Sequence, residues 1–219
     1  MLRFWTSQRE RISKWGPLRA LGYYLFGVAA DKVGIRFWDA FEYPQHATAI
    51  PASSVATFSM LESMSGWTPR DLDLLNEYES ISLLTLYEGY FADGDKCAVA
   101  RWEGTELACV CWIHPTTDYP LAPGIKVVLI KNCFTLPQHR GQGLYPTTLA
   151  FACSSLRLSE RPAVRIFVDC SAFNFASQRG ILKAGFKPAG RILRAFKQSW
   201  SWAHRHSDNG PQPSVASAR

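Results

Sequence analysis

KVVLIKNCFTLPQHRGQGLYPTTLAFACSSL, residues 126–156, is the stretch that decides the architecture. Lys126 to Leu136 is the most apolar run of the chain, and it predicts a buried strand. Pro137 follows, and then Gln138-His139-Arg140-Gly141-Gln142-Gly143. Gly141 and Gly143 let the backbone turn tightly and approach a ligand closely. From Gly143 to Leu158 the spacing becomes helical, at Leu144, Thr148, Phe151, Ser155 and Leu158. A helix starting there points free N–H groups and the positive end of its dipole at the turn. Strand, glycine turn and helix therefore make a site for a pyrophosphate, and Arg140 adds charge to it. Pro146 falls in the first turn of the helix, where it costs little. No Gly-Lys-Ser/Thr ending is present, which argues against the phosphate loop of nucleotide hydrolases.

Upstream of this stretch, Cys97 to Trp102, the turn Glu103-Gly104 and Leu107 to His114 read as a hairpin. Before it come two helices, 68–78 and 81–91. The first has a capping Thr68, Pro69 in its first turn and then an acid, Asp71. The second ends at Asp93-Gly94-Asp95. Gly34 to Tyr43 and Val55 to Leu61 are candidate strands, separated by a linker. Downstream, Val164 to Asp169 is strand-like and Ala176 to Ala184 is helical, closed by Gly185. Arg191 to Trp202 reads as one final strand. This order predicts an α/β fold with a mixed sheet flanked by helices.

Gln138-x-x-Gly141-x-Gly143 after a strand resembles the CoA-binding motif of the GNAT acyltransferases. A second stretch, Asn174-x-x-Ser177 followed by Lys183-Ala184-Gly185-Phe186, is similar to another segment of that family, in the right order and at a fitting spacing. The resemblance covers about residues 55–202 and implies a GNAT-like, mostly antiparallel sheet flanked by helices. It divides the chain into a helical and aromatic extension (1–50), an acyltransferase domain (51–202) and a polar, Pro-containing tail (203–219) expected to be disordered. It implies acetyl-CoA or another acyl-CoA as co-substrate. The backbone of Gln138, His139, Arg140, Gly141, Gln142 and Gly143 would bind the pyrophosphate. The strand carrying Phe134 and Leu136 would run along the pantetheine arm and give a backbone N–H to the thioester oxygen. Asn174 would hydrogen-bond the arm or position the thiol. Many members carry a Tyr in the second helix as acid toward the leaving thiolate; here that position is Ile181, and Ser177 is the candidate in its place. The alternative for Ser177 is a capping or packing role. The acceptor implied is an amine on a small molecule, such as an amino-sugar or sugar nucleotide, or on a peptide.

The general base is not fixed by the motifs. His114 ends the neighbouring strand and titrates near neutrality, although a packing histidine reads the same way. Glu88 and Asp169 are weaker candidates. Cys133 is a nucleophile by type, but a cysteine in a strand is ordinarily core. The chain carries six cysteines, spread along its length. Cys109 and Cys111 would share a strand face, yet no second pair completes a metal site. The expectation is therefore buried thiols in a reducing compartment and no metal.

The 219 residues suit one domain with an added segment, and a hydrophobic content of 47% supplies a sizeable core. A net charge of +6 favours anionic partners. Nucleic-acid binders carry a denser basic stripe, so no nucleic-acid partner is expected. Residues 1–30 are basic, then apolar from Ala20 to Ala30. This imitates a signal peptide, but it also fits an amphipathic helix with Leu18, Leu21, Leu25 and Val28 on one face. With Trp5, Trp15, Tyr23 and Tyr24 it suits a peripheral membrane contact too. The expected location is the cytoplasm, with that contact as an addition. Two other readings remain: a CoA-binding regulatory or scaffolding protein that has lost turnover, and a membrane-surface module acting through 1–30.

Overall fold

The structure is a computed structural model that describes residues 34–44, 55–77, 83–159, 164–195 and 198–203. The amphipathic helix expected within residues 1–30 and residues 204–219 of the expected tail lie outside these residues. The described elements run β1 (Arg36–Glu42), β2 (Ala56–Leu61), α1 (Pro69–Asn76), α2 (Leu83–Ala92), β3 (Lys96–Trp102), β4 (Glu106–Tyr119) and β5 (Ala122–Thr135). They continue with α3 (Leu144–Ser159), β6 (Arg165–Ser171), α4 (Phe175–Lys183), β7 (Lys187–Ala195) and β8 (Gln198–Ala203). Short 3-10 turns occupy Met64–Gly66 and Pro137–His139.

The strands form one sheet of eight in the order β2-β3-β4-β5-β6-β1-β7-β8. Every neighbouring pair is antiparallel except β5 and β6, which are parallel and joined through α3. The mixed sheet expected from the element order forms, and it is mostly antiparallel, as the resemblance implied.

Two boundaries differ from the sequence reading. β1 lies inside the sheet, between β6 and β7, so residues 36–42 belong to the domain and not to an extension ending at 50. The aromatic run was legible as a strand, but nothing local says that its partners lie more than a hundred residues away. The single final strand expected over 191–202 is a hairpin, β7 and β8. Gly190 marks its close approach to the end of β8: a Cβ there would sit 2.3 Å from the Trp202 carbonyl oxygen.

Side-chain size sorts the two faces of the sheet. Ala98, Ala100, Ala108, Cys109 and Cys111 face Leu149, Ala150, Ala152 and Cys153 of α3. Small residues on both sides let the helix lie close to the strands. The opposite face of β3 and β4 carries Val99, Leu107, Val110 and Trp112, covered by Trp67, Leu75 and Tyr87 from the α1–α2 side. Trp112 is fully buried, with ring centroids of Tyr87, Tyr90 and Phe91 within 5.0 Å. The aromatic residues of 67–91 are thus mainly core. α1 begins with a complete capping box between Thr68 and Asp71. The buried Asp71 carboxylate also takes both ends of the Arg101 guanidinium, at 2.8 Å each, which holds it below the usual carboxylate pKa range.

Over β6, β1 and β7 that same face is covered differently. The β4–β5 hairpin runs past the expected end at His114, and its tip places Tyr119 and Ala122 against Phe167, Ala40 and Ile192. Ser201 of β8 donates to the Pro120 carbonyl at 2.7 Å, fastening the tip. Among the described residues no helix is long and apolar enough to cross a membrane.

Candidate active site

Two local features of β5 create an opening in the sheet. Its ladder to β6 runs from Val127↔Arg165 to Ile130↔Val168 and stops there. On its other edge the register against β4 slips between Val110↔Phe134 and Trp112↔Lys131, so that Asn132 and Cys133 together oppose Cys111. This is a bulge, which bends the strand that carries it. Asn132 takes a left-handed φ of 48° at this point, a conformation Asn adopts more readily than most residues. β5 therefore leaves β6, and a gap opens between residues 131–135 and 169–171.

The glycine turn caps the strand at the end of this gap. Gly141 and Gly143 have φ of 83° and 78°, and a Cβ on either would meet no atom within 4 Å. Residues 140–143 are exposed apart from their helix junction, so the backbone there faces open space ahead of α3. The side chains around the turn hold it and leave the backbone to a ligand. Gln138 donates to Glu106 at 3.3 Å, and the buried His139 ring meets the same carboxylate at 3.2 Å while packing on Trp102. Glu106 is held below the usual carboxylate range, first by Gln138 and then by His139. Gln142 reaches back to the Gln138 carbonyl. Arg140 donates to the Thr135 carbonyl at 3.1 Å and lies over the Phe134 ring.

Of the two strand residues expected along a pantetheine arm, Leu136 is committed elsewhere. Its side chain is buried in the α1–α2 core, its N–H donates to the Ala108 carbonyl and its carbonyl accepts from His139. The Leu136 N–H is thus taken by β4 and its carbonyl by the turn at His139. Phe134 pairs with Val110 and packs on the same side.

On the α3–α4 side of the gap, Asn174 is the N-cap of α4, and its Oδ1 accepts from the Ser177 N–H at 3.1 Å. Ser177 Oγ lies 3.1 Å from the Tyr145 hydroxyl of α3. Ile181 is fully buried and packs in the core. Cys133 is half-buried and packs toward that core, as expected of a strand cysteine. All six cysteines are free, and no group of three or more His, Cys, Asp or Glu able to hold a metal occurs among the described residues.

On the other face of the sheet, His114 of β4, paired with Leu129, is half-buried and its Nδ1 lies 2.5 Å from Oδ1 of Asp95. The Asp95 side chain is fully buried and also pairs with Lys131 Nζ at 2.9 Å. Lys131 stacks over the Tyr90 ring, and Asn132 donates to the Tyr90 hydroxyl at 2.7 Å. The carboxylate fixes the imidazole through Nδ1, so Nε2 is the atom left to take a proton. Asp169 of β6 sits at the far lip of the gap on this same face, paired with Ala40. Burial pushes its pKa up to about 6, with Arg194 pulling the other way. Glu88 is exposed on α2.

Sequence reading missed Asp95 and Tyr145. In the sequence Asp95 reads only as the end of a turn. Tyr145 had a signal in Gly180: an unexplained glycine inside a helix implies a close approach by another group, and here that group is the Tyr145 ring.

The raised pKa of Asp169 has a testable sign. An acid whose folded-state pKa lies above its unfolded value of about 3.9 destabilises the fold once ionised. The cost is absent below about pH 4, grows as pH rises through about 6 and is complete above that. Asp169→Asn is therefore expected to raise stability by about 2 kcal/mol at pH 8 and to change it little at pH 4. Urea unfolding at both pH values measures this; equal destabilisation at both would contradict it.

No family model matches the sequence, and no curated protein matches it. Solved structures do. An acetyltransferase from the GNAT family of Colwellia psychrerythraea aligns over 78% of this chain and 60% of its own, with a TM-score of 0.52 at 12% identity. A tandem GNAT protein from the clavulanic acid biosynthesis pathway aligns over 85% of this chain and 60% of its own, with a TM-score of 0.50 at 14% identity. The chain thus spans about three fifths of the length of these structures. At such identities the likeness is one of fold, and the fold of this chain is GNAT-like.

Proposed function

We propose that the chain is an acyl-CoA-dependent N-acyltransferase that moves an acyl group, most simply acetyl, from CoA to an amine. The observation that carries this reading is the alignment of an open, positive-φ glycine turn with a gap between two diverging parallel strands. The turn and the start of α3 offer backbone N–H groups and a helix dipole to a pyrophosphate. An extended chain would lie along the strand edge at the bulge and meet its main-chain groups.

The two faces of the gap suit the two ends of the reaction. The acceptor amine enters on the α1–α2 side, where Asp95 orients His114 to remove a proton. The neutral amine attacks the thioester carbonyl, whose oxygen is stabilised by a backbone N–H of β5 near the bulge. The C–S bond breaks, and the sulfur departs toward α3 and α4. The acceptor is a small molecule such as an amino-sugar or sugar nucleotide, or a peptide amine.

The direct test is binding and turnover with acetyl-CoA. At 100 times its Kd, CoA is expected to stabilise the protein by about 2.7 kcal/mol, visible as a raised Tm. CoA release against a panel of amines should then exceed release without an amine. No shift at millimolar CoA would sink the reading. A shift without any release would leave the chain a CoA-binding regulator.

A further inference from the structure

Lys131 is the residue of β5 that precedes the bulge, and it pairs with Trp112 of β4. Trp112 belongs to the core under α1 and α2, so the lysine side chain shares that face. Its Nζ stands over the Tyr90 ring of α2, 4.8 Å from the centroid. It is also 2.9 Å from Oδ2 of Asp95, whose Oδ1 meets His114 at 2.5 Å. A primary amine of the chain itself therefore lies beside the pair assigned above to deprotonate an acceptor amine. That mechanism gives it no part.

The amine is held without a directional bond. Asp95 Oδ2 has no hydrogen-bond partner among the described residues, so the 2.9 Å approach of Lys131 is an ion pair that lacks hydrogen-bond geometry. Charge and the Tyr90 ring keep it in place, and a flexible four-carbon stem lets it swing. Other lysines have different surroundings. Lys126, toward the far end of β5, is exposed, as are Lys183 and Lys187 at the α4–β7 connection. Lys96 pairs with Glu62.

We propose that Lys131 is a self-acylation site: when no outside amine is present, it takes the acyl group of the thioester bound at the gap. This rests on the acyl-CoA reading, which puts the thioester oxygen on a backbone N–H near the bulge, next to Lys131 in the strand. The ammonium first gives one proton to water. The free amine attacks the thioester carbon from the α1–α2 side. A C–N bond forms and the C–S bond breaks, with the electron pair leaving on sulfur, which takes up a proton. The surplus proton on nitrogen passes to His114 Nε2 and on to water. The products are an amide at Lys131 and free CoA.

Acetyl-CoA alone is the probe, added to the full chain with no acceptor. Mass spectrometry of the digested protein reads each lysine. Lys131 is expected to acquire acetyl at least about tenfold faster than Lys126, Lys183 and Lys187, because a tethered amine acts at high effective concentration. Uncatalysed acetylation would favour the exposed lysines instead. The rate per molecule should not change with protein concentration, since the transfer is internal. Gly141→Glu, which removes the pyrophosphate site, should lose the label at Lys131 and keep the background at the exposed lysines. Lys131→Arg keeps a positive charge beside Asp95 and should lose the label while CoA still raises Tm. If CoA raises the wild-type Tm but Lys131 is labelled no faster than the exposed lysines, the proposal is overturned and the acyl-CoA reading stands. Labelling that survives Gly141→Glu, or that speeds up with protein concentration, overturns it as well. No Tm shift with CoA would overturn the acyl-CoA reading, and this proposal with it.

Discussion

Replacing Gly141 by glutamate is expected to abolish CoA binding while the protein still folds. The residue has φ of 83°, and its missing side chain faces open space. A left-handed conformation costs an ordinary residue about 1–2 kcal/mol, which shows as a lower Tm. The larger effect falls on the ligand. On the acyl-CoA reading, a side chain there would enter the volume where the pyrophosphate would meet the backbone, and a carboxylate would place negative charge beside it. Affinity should drop more than about 100-fold, since a desolvated like-charge contact costs several kcal/mol. Gly124→Glu is the control. Gly124 has φ of 73°, also faces open space, and lies near the other end of β5. It should show the same loss of stability with CoA affinity unchanged. Calorimetric titration of both variants decides: wild-type affinity in Gly141→Glu would remove the glycine turn from the site, and equal losses in both variants would mean that the effect is structural.

The parts of the site legible in sequence were those written as local backbone chemistry. A strand, two glycines and a helix start announce a phosphate site because each residue type has a conformational reason to be there. The N-cap role of Asn174 was not read: the resemblance gave it only a contact with the pantetheine arm. Which backbone groups of Leu136 are left free is not legible in sequence, because pairing, not composition, decides it, and Ala108 takes its N–H. The register slip at Asn132 has no signature in an apolar run, so the cause of the opening in the sheet could not be read. β1 was visible as a strand, but its place between β6 and β7 is a long-range fact. Asp95 and His114 are neighbours only after β3 and β4 pair, with Lys96 opposite Ile113. Tyr145 and Ser177 meet only because α3 and α4 pack on the same face, and the one local trace of that is Gly180.

His114→Ala is expected to lower kcat by about 10²–10⁴-fold, the usual range for a lost general base, with CoA affinity nearly unchanged. The separation follows from the sheet. His114 lies on the face covered by α1 and α2, whereas the turn and α3 that would hold CoA lie beyond the end of β5 and on the other face. Its imidazole is aimed by a carboxylate that cannot itself turn, because Asp95 is fully buried and held by Lys131. Loss of the ring removes a base and leaves the Asp95–Lys131 pair, so no buried charge is stranded and the fold should survive. Asp169 is the competing base, at the lip of the gap and with a pKa of about 6. Its own variant, Asp169→Asn, separates the two. With His114 as base, Asp169→Asn keeps most of kcat. If instead His114→Ala retains the rate while Asp169→Asn loses it, the base is on β6 and the Asp95–His114 pair serves to shape the acceptor side.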